Sequence, residues 1–209
     1  MTQSPEVRIF DGGENGVRGK NGVSIIEREV IVSGYGHREA RGCGGYDLSL
    51  PNRANFRARL FRTDAHYEDF LGIVEEALAF VPMRILAYCL MPNHWHLVVH
   101  PRADGDLARF LQRLTMTHTQ RYHARTGTVG YGHLYQGRYK SLPVESDSHF
   151  LALVRYVERN AQRAALVKKA EDWPWSSVHV QVYGNAEQKK ILRARSADHR
   201  LCAPRLSGS

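Results

Sequence analysis

The chain has 209 residues, a formal net charge of +8 and shares of apolar and charged residues that are ordinary for a globular protein. This size indicates one soluble domain, and the excess of lysine and arginine favours a polyanionic partner, because cations that neutralise phosphates release bound counterions. No long uncharged apolar run and no hydrophobic signal core occur, so a membrane protein is disfavoured and a cytoplasmic one predicted. The three cysteines are odd in number and far apart, which excludes a disulfide framework and a zinc ribbon.

The N-terminal part of the chain differs in composition from the rest. Residues 1–45 hold many of the glycines and show no sustained periodicity, so we expect an N-terminal extension with little order. From Tyr46 the alternation YDLSL predicts a strand, and Asp64 is predicted to cap the first helix. The buried face of that helix is predicted to contain Tyr67, Phe70, Leu71, Val74, Leu78 and Val81.

Residues 83–100, MRILAYCLMPNHWHLVVH, predict two strands joined by a turn at Pro92 and Asn93. Alternate residues of a strand share a face, so His94 and His96 point one way and Trp95 points the other. Two imidazoles at this spacing can chelate one divalent cation, but such a site needs a third ligand. The pair alone is also compatible with ordinary solvated or hydrogen-bonded histidines.

Two further helices are predicted after this hairpin. The second begins at 104–106, points Leu107, Phe110, Leu111 and Leu114 inward, and ends at a glycine. The segment GHLYQGRYKSLPVE then predicts a loop and a strand, and Asp147 is predicted to cap the third helix. The core stripe of that third helix is predicted to be Phe150, Leu151, Val154 and Val157.

Tyr156 and Asn160 lie beside that stripe, four residues apart, on one edge of the third helix. If the stripe packs on the sheet, this edge faces the layer that contains His94 and His96. Each residue also has an ordinary explanation, since Tyr156 is compatible with a core tyrosine and Asn160 with a residue near a helix end.

The predicted order is strand, helix, strand, strand, helix, strand, helix. This order favours the α+β class, with a ferredoxin-like antiparallel β-sheet and the helices packed on one face.

Two basic and aromatic stretches, 120–125 and 136–141, suit single-stranded DNA, because cations bind its phosphates and aromatic rings stack on unpaired bases. The predicted DNA contacts are Arg121, Tyr122, Arg125, Arg138, Tyr139 and Lys140. A solvated basic face with core tyrosines remains the alternative. Trp173 and Trp175 are interpreted as packing anchors.

Four stretches in this order resemble the single-tyrosine HUH transposases of the IS200-like superfamily, and most closely the REP-associated tyrosine transposases of bacteria: AYCLMPNHWHLVV, GHLYQGRYKS, RYVERNAQRAALV and DWPWSSV. The resemblance spans residues 46–183, and a basic low-order tail is expected at 184–209. It implies that Tyr156 is the nucleophile and that His94, His96 and Asn160 hold a divalent ion, Mg²⁺ or Mn²⁺.

The activity implied by this resemblance is nicking and rejoining of single-stranded DNA at hairpins of repeated palindromic elements. A 5′-phosphotyrosine intermediate would conserve the phosphodiester, so the strands rejoin without ATP. The implied place of action is the bacterial cytoplasm at the nucleoid, and a homodimer is one option for the assembly. Two alternatives stay open: a catalytically silent protein that binds hairpins, and a metal-dependent phosphodiesterase in which water replaces the tyrosine.

Overall fold

The structure is a computed structural model that describes residues 48–54, 59–130, 132–135, 142–143 and 147–192. The predicted order of elements is confirmed, and it consists of β1 (Leu48–Arg53), α1 (Asp64–Phe80), β2 (Arg84–Met91), β3 (His94–His100), α2 (Asp106–Thr126), β4 (Leu142–Pro143) and α3 (Asp147–Glu158). After these come α4 (Asn160–Arg163), α5 (Ser177–Tyr183) and two 3-10 turns, Ala170–Asp172 and Gln188–Lys190. The predicted N-terminal extension, 1–45, lies outside the described residues.

The four strands form an antiparallel sheet in the order β2-β3-β1-β4. β2 and β3 form the predicted hairpin, with Met91 opposite His94. On the other side of β3, Pro51 of β1 lies opposite His96. β4 pairs only with Leu48 and Ser49, so Pro51, which has no N–H, lies beyond the part of β1 that β4 covers. The α+β class with an antiparallel sheet is thus confirmed.

The helices cover both faces of this sheet rather than the one face that was predicted. Trp95 and Leu97 of β3 point into a core formed with α1 and α2. Val98 of β3 and Cys89 of β2 point the opposite way and pack against α3 and α4. The reason lies in β2, which is buried on both faces along nearly its whole length, as expected of a continuous apolar run.

Two details of the helices differ from the sequence prediction. Thr63, not Asp64, is at the N-cap of α1, and Asp64 is the first helical residue. In α3, Leu151 is 54% exposed while Leu153 packs against the core. Leu151 and Leu153 flank the stripe on opposite sides of the helix, and only the side of Leu153 meets the sheet. The C-terminus of α2 is as predicted, with Gly127 in the left-handed conformation at φ 66°.

Residues 173–177 cover the outer edge of β2. The Trp173 indole N–H donates to the Leu90 carbonyl at 2.9 Å, and the Leu90 N–H donates to the Trp175 carbonyl at 2.9 Å. Trp175 also stacks on Tyr67, with ring centroids 4.7 Å apart. These contacts satisfy backbone groups that an edge strand would otherwise expose, and they give both tryptophans the predicted packing role.

Packed structure continues beyond residue 183, where the sequence predicts the end of the domain. Ile191 and Leu192 are buried in the core that α1 and α2 form with the sheet, so residues 184–192 are not wholly the low-order tail that was expected. Two apolar residues among basic ones are too short a pattern to reveal this packing. Residues 193–209 lie outside the described part of the chain.

Within the described ranges, no helix combines the length and apolar character needed to cross a membrane.

Candidate active site

His94 and His96 lie on one face of β3, as the strand alternation predicts. Their ring centroids are 4.9 Å apart and the ring planes meet at 84°. Nδ1 of His94 is 2.7 Å from the side-chain oxygen of Asn93, in the preceding turn. An amide oxygen accepts, so Nδ1 carries the hydrogen of the neutral ring and the lone pair that could bind a metal is on Nε2.

The imidazole of His96 is held in its neutral form. Part of the residue surface is solvent-exposed, but the protein atoms packed around the ring, and secondly the neighbouring His94, lower the pKa of His96 to about 3. Protonation of this ring is therefore unfavourable. The neutral form that results is the one that coordinates a metal.

Tyr156 of α3 lies next to the histidine pair. Its ring is edge-on to the ring of His96, with centroids 6.2 Å apart and planes at 89°. The residue is half-buried and packs against the cluster that α3 forms with β2 and β3. The structure therefore brings the predicted nucleophile and one predicted metal ligand together across two different elements.

Asn160 begins α4, just after the break that separates α4 from α3 at Arg159. The next residue, Ala161, belongs to the same buried cluster as Cys89, and Cys89 is the cross-strand neighbour of His96. The amide nitrogen of Asn160 is buried without a hydrogen-bond partner among the described residues. The amide NH₂ is a donor, so this group suits an acceptor such as a phosphate oxygen, whereas a metal would bind the amide oxygen.

Arg163 is a site residue that the sequence patterns did not single out. Its guanidinium lies over the Tyr156 ring, 4.5 Å from the centroid, on the exposed side of α4. The available signal was its spacing, since Arg163 follows Tyr156 by seven residues and Asn160 by three, which places all three on one helical face.

These donors fit a divalent ion by their chemistry. Two neutral imidazoles and an amide oxygen suit Mg²⁺ or Mn²⁺ with open positions for substrate and water, and the imidazoles favour Mn²⁺. Cys89 is nearby but fully buried among apolar side chains, and this burial raises the pKa of its thiol to about 12. No group of three His, Cys, Asp or Glu side chains is arranged for a metal within the described ranges.

The predicted DNA contacts on α2 engage in contacts within the protein. Arg121 bonds to Glu76 at 2.7 and 2.9 Å and to Asp69 at 3.2 Å, and Arg125 bonds to Asp69 at 3.0 Å. The ring of Tyr122 is in the core, with 8% of the residue exposed. This gives Tyr122 the packing role that the sequence left open as its alternative. DNA contact by the two arginines stays a prediction.

The other three predicted contacts, Arg138, Tyr139 and Lys140, lie outside the described residues. Tyr135, just before them, is buried on the α1–α2 side of the sheet. Its hydroxyl accepts from the Trp95 indole N–H at 3.1 Å and bonds to Nδ1 of His118. This network ties Tyr135 to β3 and α2.

A protein-family model matches this chain. The model of the family described as "Transposase IS200 like" matches residues 50–160, more than half of the chain, and this range contains both histidines, Tyr156 and Asn160. No curated protein of similar sequence was found.

The solved structures that are similar to this chain include two transposases. The REP-associated tyrosine transposase bound to a REP hairpin is 18% identical, with a TM-score of 0.59, over 81% of this chain and 100% of that one. A candidate transposase from Deinococcus radiodurans R1 is 17% identical, with a TM-score of 0.41, over 60% of this chain and 96% of that one. At such identities the first likeness shows the shared fold.

Proposed function

The chain belongs to the IS200-like transposase family, and we propose that within it the protein cuts and rejoins single-stranded DNA at hairpins through a covalent bond to Tyr156. The structural neighbour bound to a REP hairpin supports hairpin DNA as the substrate. The observation that carries the proposal is the edge-to-face contact of Tyr156 with His96, because it joins a nucleophile to a candidate metal ligand on rigid elements.

The proposed step is an in-line displacement at phosphorus. The Tyr156 oxygen forms a bond to the phosphorus while the bond to the 3′ oxygen breaks, which leaves a 5′-phosphotyrosine and a 3′-hydroxyl. The phenol loses one proton and the 3′ oxygen takes up one, so charge and atoms balance. The number of phosphodiester bonds is unchanged, and the reverse step can rejoin a strand without ATP.

His94, His96 and Asn160 would hold a divalent ion in this proposal. When bound, the ion would polarise the phosphate and offset the charge that develops on it. The contribution of the chain is to orient His94 through Asn93 and to keep His96 neutral through the packing around its ring.

Arg163 gives the site a fixed positive charge next to Tyr156. A guanidinium over the ring is attracted by the ring face, and its remaining N–H groups can donate to an incoming phosphate. We assign Arg163 a phosphate-positioning role.

DNA outside the cleavage point would contact Arg138, Tyr139 and Lys140, as the sequence predicts. For Arg121 and Arg125 a phosphate would have to compete with the carboxylates of Asp69 and Glu76. The predicted DNA contacts on α2 therefore have less support than the predicted DNA contacts in the segment 136–141.

The test is the covalent adduct itself. The full chain is incubated with single-stranded DNA containing hairpins and with Mn²⁺, then denatured in detergent. A shifted protein–DNA band with the nucleotide on the peptide that contains Tyr156 supports the proposal. Cleavage without an adduct would point to water as the nucleophile, and binding without cleavage to a silent hairpin-binding protein. Both results would contradict it.

A further inference from the structure

A shallow groove of about 420 Å³ lies between the end of α1 and the outer face of α2, away from the candidate active site. It is lined by Phe80, Arg109, Gln112, Arg113, Met116 and their neighbours on α2. Phe80 is 58% exposed and Met116 is 53% exposed, so neither contributes much to the core. An exposed aromatic and an exposed methionine beside arginines are a feature that stability alone does not explain.

The two arginines are held by the same ring. The guanidinium carbon of Arg113 is 5.4 Å from the centroid of Phe80, and that of Arg109 is 5.9 Å away. Residues four apart on a helix are neighbours on its surface, so Phe80 holds two positive charges one turn apart. This arrangement restricts the flexible side chains before any ligand arrives, which lowers the entropy lost on binding.

The charged residues that line the groove, Arg109 and Arg113, have one sign. Asp106 at the start of α2 approaches Arg109 at 3.7 Å, but it also accepts from the Ala103 N–H at 3.0 Å. From Leu107 to Thr126 the helix contains no acidic residue, and no carboxylate contacts Arg113 among the described residues. The groove therefore complements an anion.

We propose that Phe80, Arg109 and Arg113 form a phosphate-binding clamp for the single-stranded DNA that flanks the hairpin, a proposal that rests on the proposed function. Phosphates would pair with the two guanidinium groups, and an unpaired base could lie against Met116. A duplex hides its bases and would leave this apolar floor unused, so a single strand fits the groove better.

The position of the clamp separates it from the chemistry. α1 and α2 pack on the sheet face that carries Trp95, whereas His94 and His96 lie on the other face. A helix with its side chains is about 10–12 Å across, so the outer face of α2 is at least that far from the sheet. The clamp would bind DNA at a distance from the cleavage point and affect affinity rather than the covalent step.

The test compares two DNA probes, one hairpin with a single-stranded thymidine extension and the same hairpin without it. Affinity is measured for the full chain over a series of salt concentrations, without added metal. Arg113→Gln is expected to weaken binding of the extended hairpin about fourfold near 0.15 M salt and to reduce the log–log salt slope by about 0.7. Binding of the hairpin without the extension should stay unchanged.

Two further variants distinguish DNA binding by the clamp from a general effect of positive charge on affinity. Phe80→Leu leaves the net charge intact but removes the ring, and it should weaken binding of the extended hairpin about two- to fivefold. Lys169→Gln removes an exposed charge outside the groove and should leave the difference between the two probes unchanged. Equal losses for Arg113→Gln and Lys169→Gln, or full affinity in Phe80→Leu, would overturn the proposal.

The remaining outcomes distinguish this proposal from the proposed function. If Arg113→Gln forms the Tyr156 adduct normally at saturating DNA, the clamp is separate from the chemistry, as proposed. If the wild type forms no adduct, the proposed function fails, and the dependence on the extension decides the clamp by itself. A concentration-dependent dimer that Arg113→Gln dissociates would identify the groove as a contact between copies and would contradict DNA as its occupant.

Discussion

The ring of Tyr156 meets the ring of His96 edge to face, at 6.2 Å between centroids. One residue belongs to α3 and the other to β3, so their contact depends on how the apolar stripe of α3 packs on the sheet. Phe150, Val154 and Val157 provide that packing. The consequence is that two groups of the candidate site are held by buried structure rather than by a loop, which favours a fixed reacting geometry.

The first prediction concerns the nucleophile. Tyr156→Phe keeps the ring, its contact with His96 and the cation–π contact with Arg163, so the free energy of unfolding should change by less than about 0.5 kcal/mol. The covalent adduct should disappear from denaturing gels, while hairpin affinity stays within about twofold. Tyr183→Phe is the matched control, because Tyr183 is 61% exposed on α5. An undiminished adduct yield in Tyr156→Phe would refute the assignment.

The second prediction concerns the metal and does not depend on activity. A ligand that binds only the folded state raises its stability, by about 2.7 kcal/mol at one hundred times its dissociation constant. Mn²⁺ should therefore raise the melting temperature of the wild type, and His94→Ala or His96→Ala should abolish this rise. Asn160→Ala should reduce it less, because an amide oxygen contributes less than an imidazole to a transition-metal site.

The control for the metal experiment is His133→Ala, which removes an imidazole from an exposed position between α2 and β4. It should leave the Mn²⁺-dependent rise intact. If His96→Ala keeps the full rise, the ion is bound elsewhere and the proposed ligand set is wrong.

Local pattern was enough to predict the features of this fold that depend on neighbouring residues. The turn at Pro92 and Asn93 and the alternation of β3 placed His94 and His96 on one face, and helical spacing placed Phe150, Val154 and Val157 on the buried side of α3. In each case successive partners are less than five residues apart, and backbone geometry fixes their relation.

Contacts between distant elements could not be predicted in the same way. Arg121 was predicted to contact DNA because its neighbours are basic and aromatic, and this contact stays a prediction. Nothing in that pattern indicates that Glu76, 45 residues away, binds Arg121 across the α1–α2 interface. The side of the sheet that α3 covers is likewise decided by β2, which is buried on both faces. Such pairings depend on three-dimensional packing, which sequence periodicity does not predict.

The third prediction concerns Arg163. If its guanidinium positions the phosphate next to Tyr156, Arg163→Gln should slow adduct formation at saturating DNA about ten- to hundredfold, because a lost charge-assisted donor acts on the reacting group. Arg163→Lys should recover part of the rate, since it restores the charge without the planar fork. Hairpin affinity should change little.

Arg159→Gln is the control for this prediction. Arg159 is also exposed and lies four residues before Arg163, at the N-cap of α4. The control variant removes the same charge from the same region without the contact to Tyr156. Equal slowing in both variants would show a general effect of charge, and the positioning role of Arg163 would have to be abandoned.

The last prediction concerns the buried His118 of α2 and the pH dependence of stability. The residue is 0% exposed, and burial first, then Arg125 and His66, lower the pKa of His118 to about 3, with Asp69 acting in the opposite direction. The Tyr135 hydroxyl accepts from the Trp95 indole N–H and is hydrogen-bonded to Nδ1 of His118. An unfolded histidine has a pKa of about 6.5 and takes up a proton more readily than this folded one. The contribution of His118 to stability is therefore complete above about pH 6.5 and is lost as the pH falls towards about 3, by up to about 1.4 kcal/mol per pH unit.

Denaturant unfolding between these pH values should show a shallower pH dependence for His118→Gln than for the wild type, whereas Tyr135→Phe, which keeps the imidazole, should retain the wild-type slope. Identical slopes in the wild type and His118→Gln would show that acid unfolding is governed by other groups.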